Sequence, residues 1–211
     1  IDKEQVNEEV IKEFSGITYR NISHPLFCVR YLDYAKESDD FIIGEGKRKG
    51  MTNKITNFDD LARIALFDVW MSNEDRSLNN NNLLIFPTAR NAFKLIPIDH
   101  GNVFNSSIIN NNMFLINEED SIMNSKLFSV FLQKHDKAYY VNLIEEVTKE
   151  FKHYVADCEK HKNTILRHVP ATWHIDIKQK SILLDYLFSE SWINESIKQF
   201  KHFFTLKLNN K

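Results

Sequence analysis

The sequence predicts an α+β fold that is mainly α-helical. Only five Gly and four Pro occur among the 211 residues, which is too few for a fold dominated by tight turns. Hydrophobic residues in the second half recur at three- and four-residue spacing, and one short hairpin pattern precedes them. Hydrophobic residues make up 43% and charged residues 27%, as in ordinary globular proteins. A formal net charge of −2 favours neither a nucleic-acid-binding surface nor an anionic-membrane surface.

The first half predicts one helix, one strand and a second, buried helix. Apolar residues at helical spacing favour a helix over residues 3–14, and "HPLFCVRYLDYA" (residues 24–35) is typical of a buried strand. The segment Phe58–Met71 is apolar on nearly every face, as in a helix surrounded by protein, and Asn57 is its expected N-cap. Asp68 lies inside this segment, so its carboxylate needs a partner, for which Arg76 is a candidate.

The second half predicts a β-hairpin followed by helices. Leu83–Phe86 and Phe93–Ile98 are the expected strands, and "PTARN" between them supplies turn residues. A long helix is expected over residues 138–162, where apolar side chains follow helical spacing. Two further helices are expected at Ile177–Phe188 and Ser191–Phe204, after the break "HVPATW".

Three polar side chains are predicted to meet at the base of this hairpin. Antiparallel strands bring the residues before the first strand and after the second to the same end. Asp75 and Asn80 precede the first strand, and Asp99 follows the second. Carboxylate and carboxamide oxygens suit Mg²⁺, and phosphoryl transfer uses the same set: one Asp orients the attacking hydroxyl, while an Asn and an Asp hold the metal ions. Asn80 stands five residues after Asp75, the Asp-x₄-Asn spacing of a kinase catalytic loop.

The stretch "FDVWMSNEDRSLNNNNLLI … KLIPIDHGNVF" resembles the HipA-like kinase family, whose members carry a pattern close to "FDxWxxNxDRxxxNxNLL … LxxIDHG". Phosphoinositide 3/4-kinases share the shorter D-R-x-x-x-N core on a related fold. The resemblance is close over residues 58–104 and looser at "FCVRYL", which is similar to the family's strand into the hinge between its two lobes. It implies a protein-kinase-like C-terminal lobe with a catalytic loop, a β-hairpin and a helical bundle. ATP and Mg²⁺ are the cofactors that this resemblance implies.

The resemblance also implies roles for individual residues. Asp75 would be the catalytic Asp and Arg76 the Arg of the catalytic loop. Asn80 and Asp99 would be the Mg²⁺ ligands and so contact the bound nucleotide. Tyr31 and Leu32, at the end of "FCVRYL", would line the ATP site at the hinge.

The resemblance further predicts how the chain is divided and what it acts on. Residues 1–36 would be a remnant of the N-terminal lobe with the hinge, and residues 37–211 the helical C-terminal lobe, because no typical Lys-bearing strand or Gly-rich loop precedes "FCVRYL". The expected activity is transfer of the ATP γ-phosphate to a hydroxyl of a protein Ser or Thr. Expected partners are that substrate and an antitoxin-like protein or a chain supplying the N-terminal lobe, since some relatives are toxins of toxin–antitoxin pairs. No direct binding to nucleic acid or membrane is predicted.

Other interpretations of the same residues stay open. The chain could be a catalytically silent or split kinase-like module that needs a partner, or a metal-dependent phosphoesterase. Asp75 and Arg76 could instead form a surface ion pair of little energetic weight. Within the Asn cluster, Asn79 and Asn81 are expected to fill the turn and Asn82 to brace the loop.

Two further expectations concern His100 and the cysteines. His100 is expected to pack beside the metal loop rather than to carry protons. Cys28 and Cys158 are the only cysteines, too few and too far apart for a disulfide framework or a zinc site. A reducing, cytoplasmic setting is therefore expected.

Overall fold

The computed structural model of the chain describes residues 32–38, 51–77, 81–100, 102–104, 113–167 and 177–211. Within these residues the fold is α+β and mainly α-helical, which confirms the predicted class. The strands are β1 (Lys36–Glu37), β2 (Leu83–Ala89) and β3 (Ala92–Pro97). The helices are α1 (Asp60–Trp70), α2 (Lys126–Leu132), α3 (Lys137–Arg167), α4 (Ile177–Leu187) and α5 (Glu190–Asn209).

The three strands form one antiparallel sheet in the order β1-β2-β3. The predicted hairpin is present, with Leu83 opposite Pro97 and Ile85 opposite Leu95. Strand β2 runs further than predicted, because the register shifts between Pro87 and Ala89. Pro87 has no N–H to donate, and a bulge allows the strand to continue past it. Because β2 ends at Ala89 and β3 begins at Ala92, the turn has only two residues.

Helix α1 is surrounded by protein, as its apolar sequence predicts. Leu61, Ala65, Leu66 and Val69 are fully buried where α1 packs against α3, α5 and β3. The predicted N-cap is wrong: α1 begins at Asp60, and the Asn57 side chain does not cap it.

Asn57 instead ties the start of α1 to the sheet. Its Oδ1 accepts a hydrogen bond from Leu95 N at 2.8 Å, and its Nδ2 donates to Leu95 O at 3.0 Å. An Asn amide matches a peptide group in shape and polarity, so it can extend a strand edge with both bonds. The residue that looks like a cap in the sequence therefore fixes where α1 lies against β3.

The helical half closes around aromatic side chains. Phe128, Phe131, Tyr140 and Phe204 are buried and meet in edge-to-face and tilted contacts, with ring centroids between 5.1 and 6.5 Å apart. Such pairs add about 0.5–1.5 kcal/mol each beyond the burial of area. This cluster supplies much of the core on which α1 rests.

Two buried tryptophans join α1 to α4 and α5. Trp70 Nε1 donates to Leu187 O at 3.0 Å, and Trp192 Nε1 donates to Trp70 O at 2.9 Å. Both side chains are part of the buried core. The C-terminal end of α1, where the catalytic loop is expected to begin, is thus held by two buried hydrogen bonds.

The remaining expectations for the fold have mixed outcomes. The three predicted late helices are present as α3, α4 and α5 with shifted ends, whereas α2 has only seven residues and was not predicted. The expected helix over residues 3–14 lies outside the described residues, and so does the expected strand over residues 24–35 except for its last four residues, which form a turn and not a strand. The expected domain boundary at residues 36 and 37 falls within β1. Among the described helices, none combines the length and the apolar composition that crossing a bilayer requires.

Candidate functional site

The site begins where α1 ends. Met71 closes the helix, and the backbone of Ser72 then takes a left-handed conformation (φ 49°) that turns the chain away. Asn73 bonds back to the helix twice: its N donates to Asp68 O at 2.9 Å, and its Nδ2 donates to Asp68 Oδ1 at 2.8 Å. The loop that carries Asp75 therefore starts from a fixed point.

Arg76 is the centre of the site and is fully buried. Its Nη1 donates to the carbonyl oxygens of Asn81, at 3.0 Å, and Asn82. Its Nη2 donates to Ile98 O at 3.3 Å and lies 3.3 Å from His100 Nε2. A planar guanidinium with five donors can hold several acceptors at fixed angles. One side chain thus fastens the loop after α1, the start of β2 and the segment after β3.

Asp68 supplies the counter-charge for Arg76. Its Oδ2 lies 2.9 Å from Arg76 Nε, and the two side chains are 1% and 0% exposed. The predicted partnership is confirmed. Burial raises the pKa of Asp68 to about 6, although the charge of Arg76 and the Asn73 amide both oppose that rise. Removing either partner would leave the other charge buried without compensation.

His100 lies against this buried pair. Its ring packs edge-on against Phe67, with centroids 5.8 Å apart and an interplanar angle of 87°. Burial lowers the pKa of His100, the Arg76 guanidinium lowers it further, and Asp99 opposes the change. The contacts agree with the expected packing role for His100.

Asp75 is held next to the strand pair. Asn73 Oδ1 accepts a bond from Asp75 N at 3.3 Å, and Asn82 Nδ2 donates to Asp75 Oδ2 at 3.1 Å. Asn82 O in turn accepts from Ile98 N at 2.9 Å. Asn82 therefore braces the loop, as predicted, and links the carboxylate of Asp75 to the backbone that leads into Asp99.

Backbone strain is concentrated around this site. Ser72, Asn82, Asp99 and Phe104 all have positive φ angles, of 49°, 43°, 49° and 61°. Asn and Asp tolerate the left-handed region, whereas Ser and Phe pay more steric energy there. Phe104 is held by a bond from its N to Met71 O at 2.7 Å, which closes the segment after β3 over the end of α1. Strained residues of this kind persist where the surrounding structure over-determines them, often at functional sites.

The structure brings three of the six predicted site residues into one region. Asp75 and Arg76 lie in the loop after α1, and Asp99 lies on the segment that Arg76 and Asn82 hold through Ile98. Leu32 is half-buried in the turn before β1. Asn80 and Tyr31 lie outside the described residues.

One alternative that the sequence left open and one expectation are wrong. Arg76 does not form a surface ion pair with Asp75, because it is buried and pairs with Asp68. Asn81 is not turn filler: it is 3% exposed, and its Nδ2 donates to Ser38 Oγ at 3.3 Å. Asn81 therefore joins the loop to the segment that follows β1.

Sequence reasoning assigned no role to Asn73, although the family pattern quoted for the resemblance has an Asn at this position. This buried amide serves both Asp68 and the backbone of Asp75. A signal was present, because a carboxylate inside an apolar helix needs donors, and the end of that helix is where a following residue can reach back. Asn73 is the nearest amide side chain after Asp68.

The donor chemistry of the predicted ligand set fits Mg²⁺. Asp99 offers a hard carboxylate oxygen on the segment that Asn82 joins to the loop of Asp75, and Mg²⁺ is bound by oxygen ligands with few protein groups. Among the described residues, no group of three or more His, Cys, Asp or Glu side chains could hold a metal ion. The predicted set does not need such a group, because its other ligand is the amide of Asn80.

The chain was compared with protein-family models, curated proteins and solved structures, and none of them matches it.

Proposed function

We propose that this chain carries the catalytic loop of a HipA-like, ATP- and Mg²⁺-dependent kinase on a protein-kinase-like C-terminal lobe. The reaction would transfer the γ-phosphate of ATP to a hydroxyl, with a protein Ser or Thr as acceptor. The observation that carries the proposal is the buried Arg76, which gathers the loop of Asp75 and the segment of Asp99 at the hairpin base.

The geometry supports a rigid reaction site. Phosphoryl transfer depends mostly on positioning and on electrostatic stabilisation, so the protein must hold a few oxygen atoms in place. Arg76 fixes the backbone on both sides of the site, and Asn82 fixes the carboxylate of Asp75 directly. Loop residues held in this way lose little further entropy when substrate binds.

In the proposed mechanism each residue has one task. Asp75 accepts the proton of the acceptor hydroxyl as the oxygen forms its bond to the γ-phosphorus and the bond to ADP breaks. Asn80 and Asp99 would hold Mg²⁺, which supplies positive charge against the phosphate oxygens. Arg76 contacts no substrate: it positions the loop from its buried site. Tyr31 and Leu32 would line the nucleotide site.

The test is phosphate transfer from γ-labelled ATP by the full chain, with Mg²⁺, to a protein acceptor or to itself. Wild type should transfer label, and Asp75→Ala should abolish transfer with an unchanged circular dichroism spectrum. Glu74→Ala is the matched control, because it removes the neighbouring carboxylate, which has no role in the proposed mechanism. Transfer by Asp75→Ala at the wild-type rate, or no transfer by wild type, would refute the proposal.

A further inference from the structure

A cleft of about 450 Å³ lies between α1, β3 and α3, and at one point it reaches His100 of the candidate site. Its walls are apolar and largely aromatic, and include Ile64, Phe67 and Trp70 of α1 with Phe151 and Val155 of α3. The volume lies within the range of ~300–1,000 Å³ that small-molecule sites occupy.

One end of the cleft carries excess negative charge. Arg63 lies there between three carboxylates: Glu150 at 2.8 Å, Asp60 at 3.4 Å and Glu146 at 3.5 Å. Asp60 and Glu150 line the cleft together with Arg63, whereas Glu146 lies outside its lining, so this end of the cleft is one charge negative when the three lining groups are ionised. The side chains of Asp60 and Glu150 are 42% and 33% exposed, so a bound group can approach them.

The other parts of the cleft offer little polar chemistry. Tyr154 and Cys158 lie along α3 on its wall, and His100 contributes a ring that packs on Phe67. None of the residues proposed to carry out phosphate transfer lines it. A ligand therefore needs an apolar body for the walls and a positive group for the acidic end.

We infer that this cleft is a second binding site, for a small amphiphilic amine with an apolar chain or ring and one cationic amino group. The apolar body lies between α1 and α3, and the ammonium group faces the carboxylates around Arg63. Burial of the body supplies most of the affinity, and the acidic end selects the charge of the head group. The site does not depend on the proposed kinase activity.

The experiment compares three probes with the same eight-carbon body: octylamine, octanol and octanoate. Each is titrated into the full chain at pH 7 while the methyl NMR signals of Ile64 and Val147, which line the cleft, are followed. Octylamine should bind most tightly, octanol about fivefold more weakly, and octanoate more weakly still, as expected for a partly exposed ion pair. Octylamine should also slow the alkylation of Cys158 by iodoacetamide, read by mass spectrometry of the peptide.

Two matched variants locate the charge effect. Glu150→Gln should lower the affinity for octylamine towards that for octanol and leave octanol unchanged. Glu145→Gln is the control, because Glu145 lies on the same helix but pairs with Lys201 at 2.6 Å. Cys158→Trp fills the mouth at an exposed position, so it should keep the fold and abolish binding of all three probes.

Several results would overturn the inference. These are no binding of octylamine at millimolar concentration, equal affinity for the three probes, or wild-type binding by a folded Cys158→Trp variant. A second copy of the chain is the competing occupant of an apolar cleft. Dimerisation in sedimentation experiments that Cys158→Trp prevents would assign the cleft to self-association and contradict a small-molecule site.

Discussion

The buried pair of Asp68 and Arg76 permits a quantitative test of what holds the site together. Asp68→Leu leaves the Arg76 guanidinium, which is 0% exposed, without its counter-charge 2.9 Å away. Breaking a buried ion pair in this way costs about 3–5 kcal/mol of unfolding free energy. Arg76→Met leaves the Asp68 carboxylate buried. That carboxylate can bind a proton instead of staying charged. Protonating an ordinary Asp at pH 7, about three pH units above its pKa, costs about 4 kcal/mol, so the electrostatic loss of unfolding free energy cannot exceed this value.

The double variant should lose less unfolding free energy than the sum of the losses in the two single variants. With Leu and Met in place no charge is buried, and apolar groups of similar volume replace the ion pair, often without net loss. We expect an interaction energy of at least ~3 kcal/mol from the double-mutant cycle. The double variant should still lack phosphate transfer, because no guanidinium gathers the carbonyls of Asn81, Asn82 and Ile98.

The assay is urea unfolding at pH 7, followed by circular dichroism on the full chain. An m-value of about 2 kcal/mol/M would convert 3 kcal/mol into a shift of about 1.5 M in the midpoint. The control cycle uses Asp157 and Lys160, a surface pair with side chains 47% and 69% exposed, and should give an interaction energy near zero. Additive single effects at Asp68 and Arg76, within about 0.5 kcal/mol, would refute the reasoning.

Three further predictions address single groups. Because burial raises the pKa of Asp68 to about 6, the folded chain binds this proton more tightly than the unfolded chain does. The unfolding free energy of wild type minus that of Asp68→Asn should therefore fall by about 3 kcal/mol as the pH rises from about 4 to about 6, then stay constant; a difference independent of pH would contradict this. Trp192→Phe removes the donor to Trp70 O and should cost about 1–2 kcal/mol in urea unfolding, and no loss would count against that bond. Asn57→Ala removes the acceptor of the hydrogen bond that Leu95 N donates to Asn57 Oδ1, so it should accelerate hydrogen exchange at the amide of Leu95. Unchanged exchange would show that this hydrogen bond does not protect the amide.

The sequence predicts those parts of the fold in which a local pattern decides the structure. Helix α1 and the strand pair were predictable because a long apolar segment is typical of a buried helix, and two short apolar runs separated by turn residues are typical of a hairpin. The seven residues of α2 span too few turns to show a period, and its helix is set by Ser125, whose hydroxyl accepts from Phe128 N at 3.1 Å. The N-cap prediction for Asn57 is wrong because the sequence alone does not distinguish an Asn that caps a helix from an Asn that bonds to a strand edge.

The candidate site shows the same division. The convergence of loop and strand end follows from hairpin geometry, and a carboxylate in an apolar helix demands a partner, so Asp68 pointed to Arg76. The bond from Arg76 to Ile98 and the burial of Asn81 against Ser38 were not predictable, because these partners lie far away in sequence. A sequence stretch of charged and amide residues predicts an exposed loop, and only the tertiary contacts show that some of these side chains are buried.

Binding of ATP to the full chain, with and without Mg²⁺, tests the central claim most directly. Isothermal titration calorimetry should show nucleotide binding that needs Mg²⁺, and Asp99→Asn should remove the Mg²⁺-dependent part while the circular dichroism spectrum stays unchanged. Glu119→Gln, a carboxylate outside the site, should bind as wild type does. Binding of equal strength with and without Mg²⁺, or unchanged Mg²⁺-dependent binding by Asp99→Asn, would contradict the assignment of this hairpin base as a Mg²⁺–ATP site.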